Sequence, residues 1–204
     1  MEIDKALHQI GEIHERLTHT QVFRGYRAAP IACSGALALL AGALQQRLVG
    51  LEPTRQFVYY WIAVAVICAA TAGGGIVRNY LVLRDPLVRR QTRTVVGQLL
   101  PSLVAGLLVT IALALPATGG IVLLPGLWTI LFSLGIFASR PHLPRNIGWV
   151  ALFYLVAGAL MLAGGALRGL ISPWGLGLTF GIGQVCSGLV LYWDLERNGG
   201  GARV

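Results

Sequence analysis

Five long stretches without a charged side chain constrain this chain more than any other feature of its sequence. They are residues 28–46, 56–77, 94–139, 146–167 and 169–193. A helix that spans the hydrocarbon core of a bilayer needs about 20 mostly apolar residues, so four of these stretches have the length of one such helix. Only 12% of the chain is charged, whereas a soluble domain of this size carries about 25% charged residues.

The longest stretch, 94–139, must contain two helices. As one helix it would be roughly 69 Å long at 1.5 Å per residue, which is over twice the hydrocarbon thickness of about 30 Å. The segment Pro116 to Gly120 has a composition typical of turns. We therefore predict an all-α membrane protein with six transmembrane helices, arranged as three hairpins over about 28–77, 95–139 and 146–193.

The basic residues that flank these helices are divided unequally between the two sides. Eleven would lie on the side of the N-terminus: Arg24, Arg27, Arg78, Arg84, Arg89, Arg90, Arg93, Arg140, Arg145, Arg197 and Arg203. Three would lie on the other side: Arg47, Arg55 and Arg168. Because cytoplasmic loops are enriched in Lys and Arg, we predict a plasma (inner) membrane protein with both termini in the cytoplasm.

Aromatic residues near the helix ends fit the same topology. Trp and Tyr are enriched where a helix meets the membrane surface. The outer surface would hold Tyr59, Tyr60, Trp61 and Trp174, and the inner surface Tyr26, Tyr80, Trp149, Tyr192 and Trp193. The transmembrane bundle thus covers residues 28–193, between a cytoplasmic segment, 1–27, and a short cytoplasmic tail, 194–204.

The N-terminal segment has the pattern of an amphipathic helix followed by an elbow. Ile3, Leu7, Ile10, His14 and Leu17 are separated alternately by four and three residues, which is the heptad spacing of a helix that packs against another helix. Residues 1–20 contain four acidic and two basic side chains, unlike the Lys- and Arg-rich face of a helix that lies on anionic lipid. We therefore predict that this seam binds its own bundle, a second copy of the chain, or a separate protein.

Arginine residues near the cytoplasmic surface form a second candidate contact region. Arg24 and Arg27 join the N-terminal helix to the bundle, and Arg84, Arg89 and Arg90 lie between the second and third helices. Such residues bind anionic lipid headgroups, or they contact the acidic N-terminal helix. Their role in setting the topology explains their position equally well.

Small residues are spaced for close helix contacts. Gly177 and Gly181 form a GxxxG motif, and Gly35 and Gly42 lie on the first helix. Small residues at this spacing let helix backbones approach in lipid, within the bundle or between copies. We also expect the Gly73–Gly75 run to end the second helix and Gly164–Gly165 to end the fifth.

The apolar stretches contain little that could perform chemistry. They hold no Asp, Glu, Lys, Arg or His, which argues against a proton-coupled pump or an ion-coupled transporter. His14 and His19 are five residues apart, whereas two histidine ligands on one helix face are four apart. The polar residues of the core (Gln98, Ser102, Thr110, Thr129, Ser133, Thr179, Gln184 and Ser187) line a path for a neutral solute or form hydrogen bonds across helices. We predict no catalytic residue, metal or cofactor.

The glycine spacing in these hairpins resembles that of a known family. Leu103-Val104-Ala105-Gly106 in the third helix recurs as Leu155-Val156-Ala157-Gly158 in the fifth, although helices of this composition also resemble one another by chance. With the short loops, this pattern resembles the HdeD-like proteins, small six-helix proteins of the bacterial inner membrane that are associated with acid stress. The resemblance implies the same fold and location, and it identifies no functional residues.

Three hypotheses on function follow from these features. The first is a non-enzymatic scaffold or regulatory subunit whose N-terminal helix and Arg-rich loop contact another copy or a protein partner. The second is a channel or transporter for a neutral small solute, and the third is a membrane enzyme that acts on lipid. Membrane lipids are expected partners in each case. Nucleic acid is not, because the net charge of +8 comes from arginines in the loops.

Overall fold

A computed structural model describes residues 28–52, 54–82, 86–114, 120–168 and 172–197. The N-terminal segment 1–27 and the tail residues 198–204 lie outside this part. The main helices are α1 (Ala28–Leu48), α2 (Arg55–Val82), α3 (Pro86–Ala114), α4 (Leu124–Ser139), α5 (Ile147–Arg168) and α6 (Pro173–Leu191), and no strand occurs in the described residues. Six helical segments, one around each of these helices, are long and apolar enough to cross a membrane, which supports a polytopic membrane protein.

Local sequence accounts for the starts of α2, α4 and α6. Thr54 precedes α2, and its Oγ1 accepts a hydrogen bond from the backbone N–H of Phe57 (3.4 Å), as in a helix N-cap. Prolines lie in the first turns of α4 and α6, where the missing N–H has no partner to lose. A short 3₁₀ helix, Gly120–Leu123, leads into α4, and a wider helical turn, Tyr192–Arg197, follows α6.

The glycine runs do not end their helices, contrary to expectation. Helix α2 continues through Gly73–Gly75 to Val82, and α5 continues through Gly164 to Arg168. Glycine inside a helix in water is destabilising by about 0.5–1 kcal/mol relative to alanine. In lipid, a backbone N–H or C=O without a partner costs several kcal/mol. This exceeds the cost of a glycine in a helix, so the helix continues.

The first and last helices form the most extensive contact of the bundle, and they run antiparallel. This α1–α6 seam is made by Gly35 and Gly42 on α1 and by Gly177 and Gly181 on α6. A Cβ atom on Gly177 would lie 2.6 Å from the Cα of Gly42, and one on Gly35 would lie 2.8 Å from the carbonyl oxygen of Gly181. The GxxxG motif thus packs inside the bundle.

A second close crossing joins α4 and α5. A Cβ on Gly126 would lie 2.8 Å from the carbonyl oxygen of Gly158, so these backbones also touch directly. Helix α3 packs against α4, and α2 packs mainly against α1. The outermost helices are α2 and α3: 11% of the apolar span of α3 is buried, against 44% for α1. Exposed leucines on α3, such as Leu103 and Leu107, fit a surface in contact with lipid.

Candidate functional site

Most hydroxyl groups inside the bundle donate hydrogen bonds to backbone carbonyls of their own helices. This group comprises Ser34, Thr71, Thr110, Thr129, Ser139 and Ser187, each bonded to a carbonyl three or four residues earlier. Ser133 differs from this group, because its Oγ donates to the carbonyl oxygen of Ala151 on the neighbouring helix (2.6 Å). We expected cross-helix bonds or a solute path. Bonds across helices occur at Ser133 and at Thr110, whose Oγ1 accepts from Trp128 Nε1 (2.7 Å). Thr129 and Ser187 instead bond within their own helices.

One buried polar pair differs from this pattern and lies at the end of the bundle formed by the α1–α2 loop. Trp61 Nε1 donates a hydrogen bond to Gln45 Oε1 (3.0 Å). The indole N–H is a donor only, so this bond fixes the orientation of the Gln45 amide. Gln45 is fully buried, and its Nε2 has no hydrogen-bond partner among the described residues.

Aromatic rings surround this pair and form what we call the aromatic cluster (Phe57, Tyr60, Trp61 and Trp128). Phe57 stacks on Trp128, with ring centroids 6.4 Å apart and planes 9° apart. Trp128 Nε1 donates to Thr110 Oγ1 (2.7 Å), and the Tyr60 hydroxyl donates to the carbonyl oxygen of Ala41 (2.6 Å). These bonds link α1 to α2 and α3 to α4. The Gln45 Nε2 amide is the donor beside the cluster that has no partner among the described residues.

The sequence located these aromatic residues correctly along their helices but did not predict which way they face. Trp61 was expected at the membrane surface, yet it is 5% exposed and points into the bundle, whereas Tyr59 is 67% exposed. Gln45 was missed altogether. The sequence does contain a sign that Gln45 is buried. Gln45 continues the face of α1 that carries the small residues Ala38, Ala41 and Gly42.

The residues predicted to bind a partner or lipid are not located by the structure. Ile3, Leu7, Ile10, His14, Leu17, Arg24, Arg27 and Arg84 lie outside the described residues. Arg89 and Arg90 are in the first turns of α3, where the structure describes the backbone and not the side chains. The contacts proposed for these residues therefore stay predictions.

Neither cysteines nor histidines form a site in the described part of the chain. Cys33, Cys68 and Cys186 are free thiols, and Cys68 Sγ donates to the carbonyl oxygen of Ser34 (3.4 Å). In residues 28–197, apart from the undescribed gaps, no group of three or more His, Cys, Asp or Glu could hold a metal ion. The predicted lack of a metal and of a cofactor stays a prediction.

Comparisons with known proteins give the chain no relative. No protein-family model matches it, and no curated protein or solved structure matches it. The described features of the chain are therefore the basis for inferring its function.

The contribution of the Gln45–Trp61 hydrogen bond to the stability of the bundle can be measured. Gln45→Leu leaves the indole N–H buried without an acceptor, but it also removes the amide Nε2 that has no partner among the described residues. We therefore expect a net loss of about 1 kcal/mol. Adding Trp61→Phe to Gln45→Leu removes that donor as well, so the double variant should lose less than the sum of the two single variants. Reversible unfolding in detergent micelles measures all three. Strict additivity would show that the two side chains are not coupled.

Proposed function

We propose that this protein is a non-enzymatic scaffold or regulatory subunit of the plasma (inner) membrane. Its six helices cross the bilayer as three hairpins with both termini in the cytoplasm. The N-terminal helix, through Ile3, Leu7 and Ile10, and the Arg-rich loop between α2 and α3 contact another copy of the chain or a protein partner. The resemblance to the HdeD-like family stays a prediction beside this proposal.

The observation that carries the proposal is how the interior of the bundle uses its polar groups. The hydroxyls of Ser34, Thr129 and Ser187 are bonded to backbone carbonyls. Two pairs of helices meet backbone to backbone at glycines. Hydroxyls bonded within their own helices, and helix backbones in direct contact, do not face a substrate, so we place specificity at the ends of the bundle.

Exposed aromatic residues support the proposed position in the bilayer. At the end formed by the α4–α5 loop, Trp149 is 74% exposed and Trp193 is 48% exposed. At the opposite end, Tyr59 is 67% exposed and Trp174 is 50% exposed. Two such belts, separated by apolar surface, are typical of a protein that spans a membrane.

Seam residues of the N-terminal helix provide the test. We expect the full-length chain, extracted in mild detergent, to form an assembly larger than the 21.7 kDa single chain. Leu7→Ser with Ile10→Ser should release single chains, because the change removes apolar contacts from the heptad seam. Native mass spectrometry measures both states.

The matched control for this test is Glu12→Ser with Glu15→Ser, which changes the same helix on its polar face. This variant should keep the assembly. The proposal is wrong if the unmodified protein is a single chain without a partner, or if the control variant dissociates to the same extent as the seam variant.

The channel hypothesis is the second candidate, and one observation favours it. Gln45 Nε2 and Gln98 Oε1, a donor and an acceptor, are buried without partners among the described residues. Polar groups left in this state attract water or a small neutral solute. Urea or glycerol flux into proteoliposomes separates the hypotheses, because a scaffold leaves the rate equal to that of protein-free vesicles.

A further inference from the structure

The α4–α5 loop presents a compact basic surface. Residues 140–146 include Arg140, His142 and Arg145 and contain no acidic side chain. Both arginines are exposed. The loop backbone is held in place, since the N–H of Leu143 donates to the carbonyl oxygen of Arg140 (3.1 Å) and that of Ile147 donates to Pro144 (3.0 Å). The two arginines thus lie in a turn that is held by backbone hydrogen bonds.

Arg140 does not extend freely into solvent but folds onto the first turn of α5. Its Nε would lie 3.2 Å, and its Cζ 3.3 Å, from a Cβ built on Gly148. The guanidinium therefore lies close to the backbone of α5 at Gly148, where the missing side chain allows this approach. The start of a helix carries partial positive charge, so this arrangement brings charges of the same sign together and favours binding of an anion.

The protein itself does not supply that anion in the described part of the chain. Asp194 is the acidic residue that contacts this loop, and its Oδ2 accepts a hydrogen bond from Asn146 Nδ2 (3.3 Å) rather than from an arginine. Among the side chains that the structure describes, which exclude that of Glu196, no carboxylate forms an ion pair with Arg140 or Arg145. No described carboxylate therefore neutralises either guanidinium group.

Neighbouring aromatic residues indicate where that ligand would be. Trp149 directly follows Gly148 and is 74% exposed, and Tyr192 and Trp193, beside Asp194, are each 48% exposed. Large exposed aromatic side chains at the ends of apolar helices lie at the level of the lipid headgroups. The basic loop is thus at the depth where lipid phosphates lie.

We propose that Arg140 and Arg145 form a binding site for the phosphate group of an anionic membrane lipid. The planar guanidinium of arginine donates two parallel hydrogen bonds to phosphate oxygens. Gly148 positions Arg140 for this contact, and Trp149 packs beside the acyl chains of the same lipid. This site is distinct from Arg24, Arg27 and Arg84, and it does not depend on what the N-terminal helix contacts.

The test compares lipids with the full-length protein. Native mass spectrometry in a zwitterionic detergent measures binding of phosphatidylglycerol and of phosphatidylcholine. We expect the protein to prefer phosphatidylglycerol, and Arg140→Gln with Arg145→Gln to weaken that binding roughly tenfold, as the loss of a charged hydrogen bond does. Arg47→Gln, an exposed arginine at the opposite end, is the control and should have no effect.

A second variant separates geometry from charge. Gly148→Ala keeps every charge but places a Cβ 3.2 Å from Nε and 3.3 Å from Cζ of Arg140. The guanidinium must shift slightly, so the preference for phosphatidylglycerol should fall by less than in the double arginine variant. The proposal is overturned if the double arginine variant binds as the original protein does, or if Arg47→Gln causes an equal loss. If inorganic phosphate at the same concentration as phosphatidylglycerol prevents the lipid from binding, the site binds a soluble anion rather than a lipid. That result would also overturn the proposal.

Discussion

Gly177→Ala should destabilise the bundle by about 1–3 kcal/mol, the usual effect of adding a methylene to a filled interior. The added Cβ would meet the Cα of Gly42 at 2.6 Å and the carbonyl oxygen of Ala38 at 3.2 Å. Both are backbone atoms, so no side chain can rotate away, and α1 and α6 must separate. Because van der Waals contact drives helix association in lipid, separation removes the interaction that holds the first and last helices together.

Gly74→Ala is the matched control for this prediction. Gly74 lies in α2, is exposed, and has no atom within 4 Å of a built Cβ. Alanine there should be neutral or stabilising by about 0.5–1 kcal/mol, since it lowers the entropy lost when the helix forms. Equilibrium unfolding in mixed micelles compares the two variants. Equal losses for Gly177→Ala and Gly74→Ala would show that the α1–α6 seam is not a close contact in the membrane.

These two glycines also show how far the sequence could predict the fold. The five charge-free stretches, the longest divided in two, predicted six helices. A charged side chain in lipid costs so much free energy that such residues are rare inside a transmembrane helix. The GxxxG motif predicted a close contact at Gly177 and Gly181. It did not identify α1 as the partner, since small residues also occur at this spacing on α2, where a Cβ built on Gly73 or Gly74 has no atom within 4 Å.

The direction in which each helix faces was the least predictable property of the candidate site. In water, polar residues mark the outer face of a helix, but in lipid both faces are apolar. Trp61 and Tyr59 therefore look alike in the sequence, although one is buried and the other exposed. Gln45 became recognisable as a site residue once the structure showed its bond to Trp61.

Tyr154→Ala should cause a loss of about 3 kcal/mol, at the lower end of the range for removing a buried aromatic side chain. Tyr154 is fully buried in α5, and its ring contacts Phe132 of α4 and Phe180 of α6, with centroids 5.1 Å and 5.4 Å away. It also covers Gly183, where a Cβ would clash with the ring. Truncation leaves a cavity shared by three helices. Because the unfolded reference state is itself in lipid, the loss is one of packing without a transfer from water, which is why we place it at the lower end of that range.

Tyr154→Phe separates the contribution of the ring from that of the hydroxyl group. The hydroxyl donates to the carbonyl oxygen of Phe180 at 3.4 Å, well beyond the usual 2.7–2.8 Å for a bond of this kind, so its removal should cost less than about 1 kcal/mol. Chemical unfolding of both variants, with intrinsic fluorescence as the signal, measures the difference. If phenylalanine destabilises as much as alanine, the hydroxyl group rather than ring packing holds α5 to α6, and the central contact is polar.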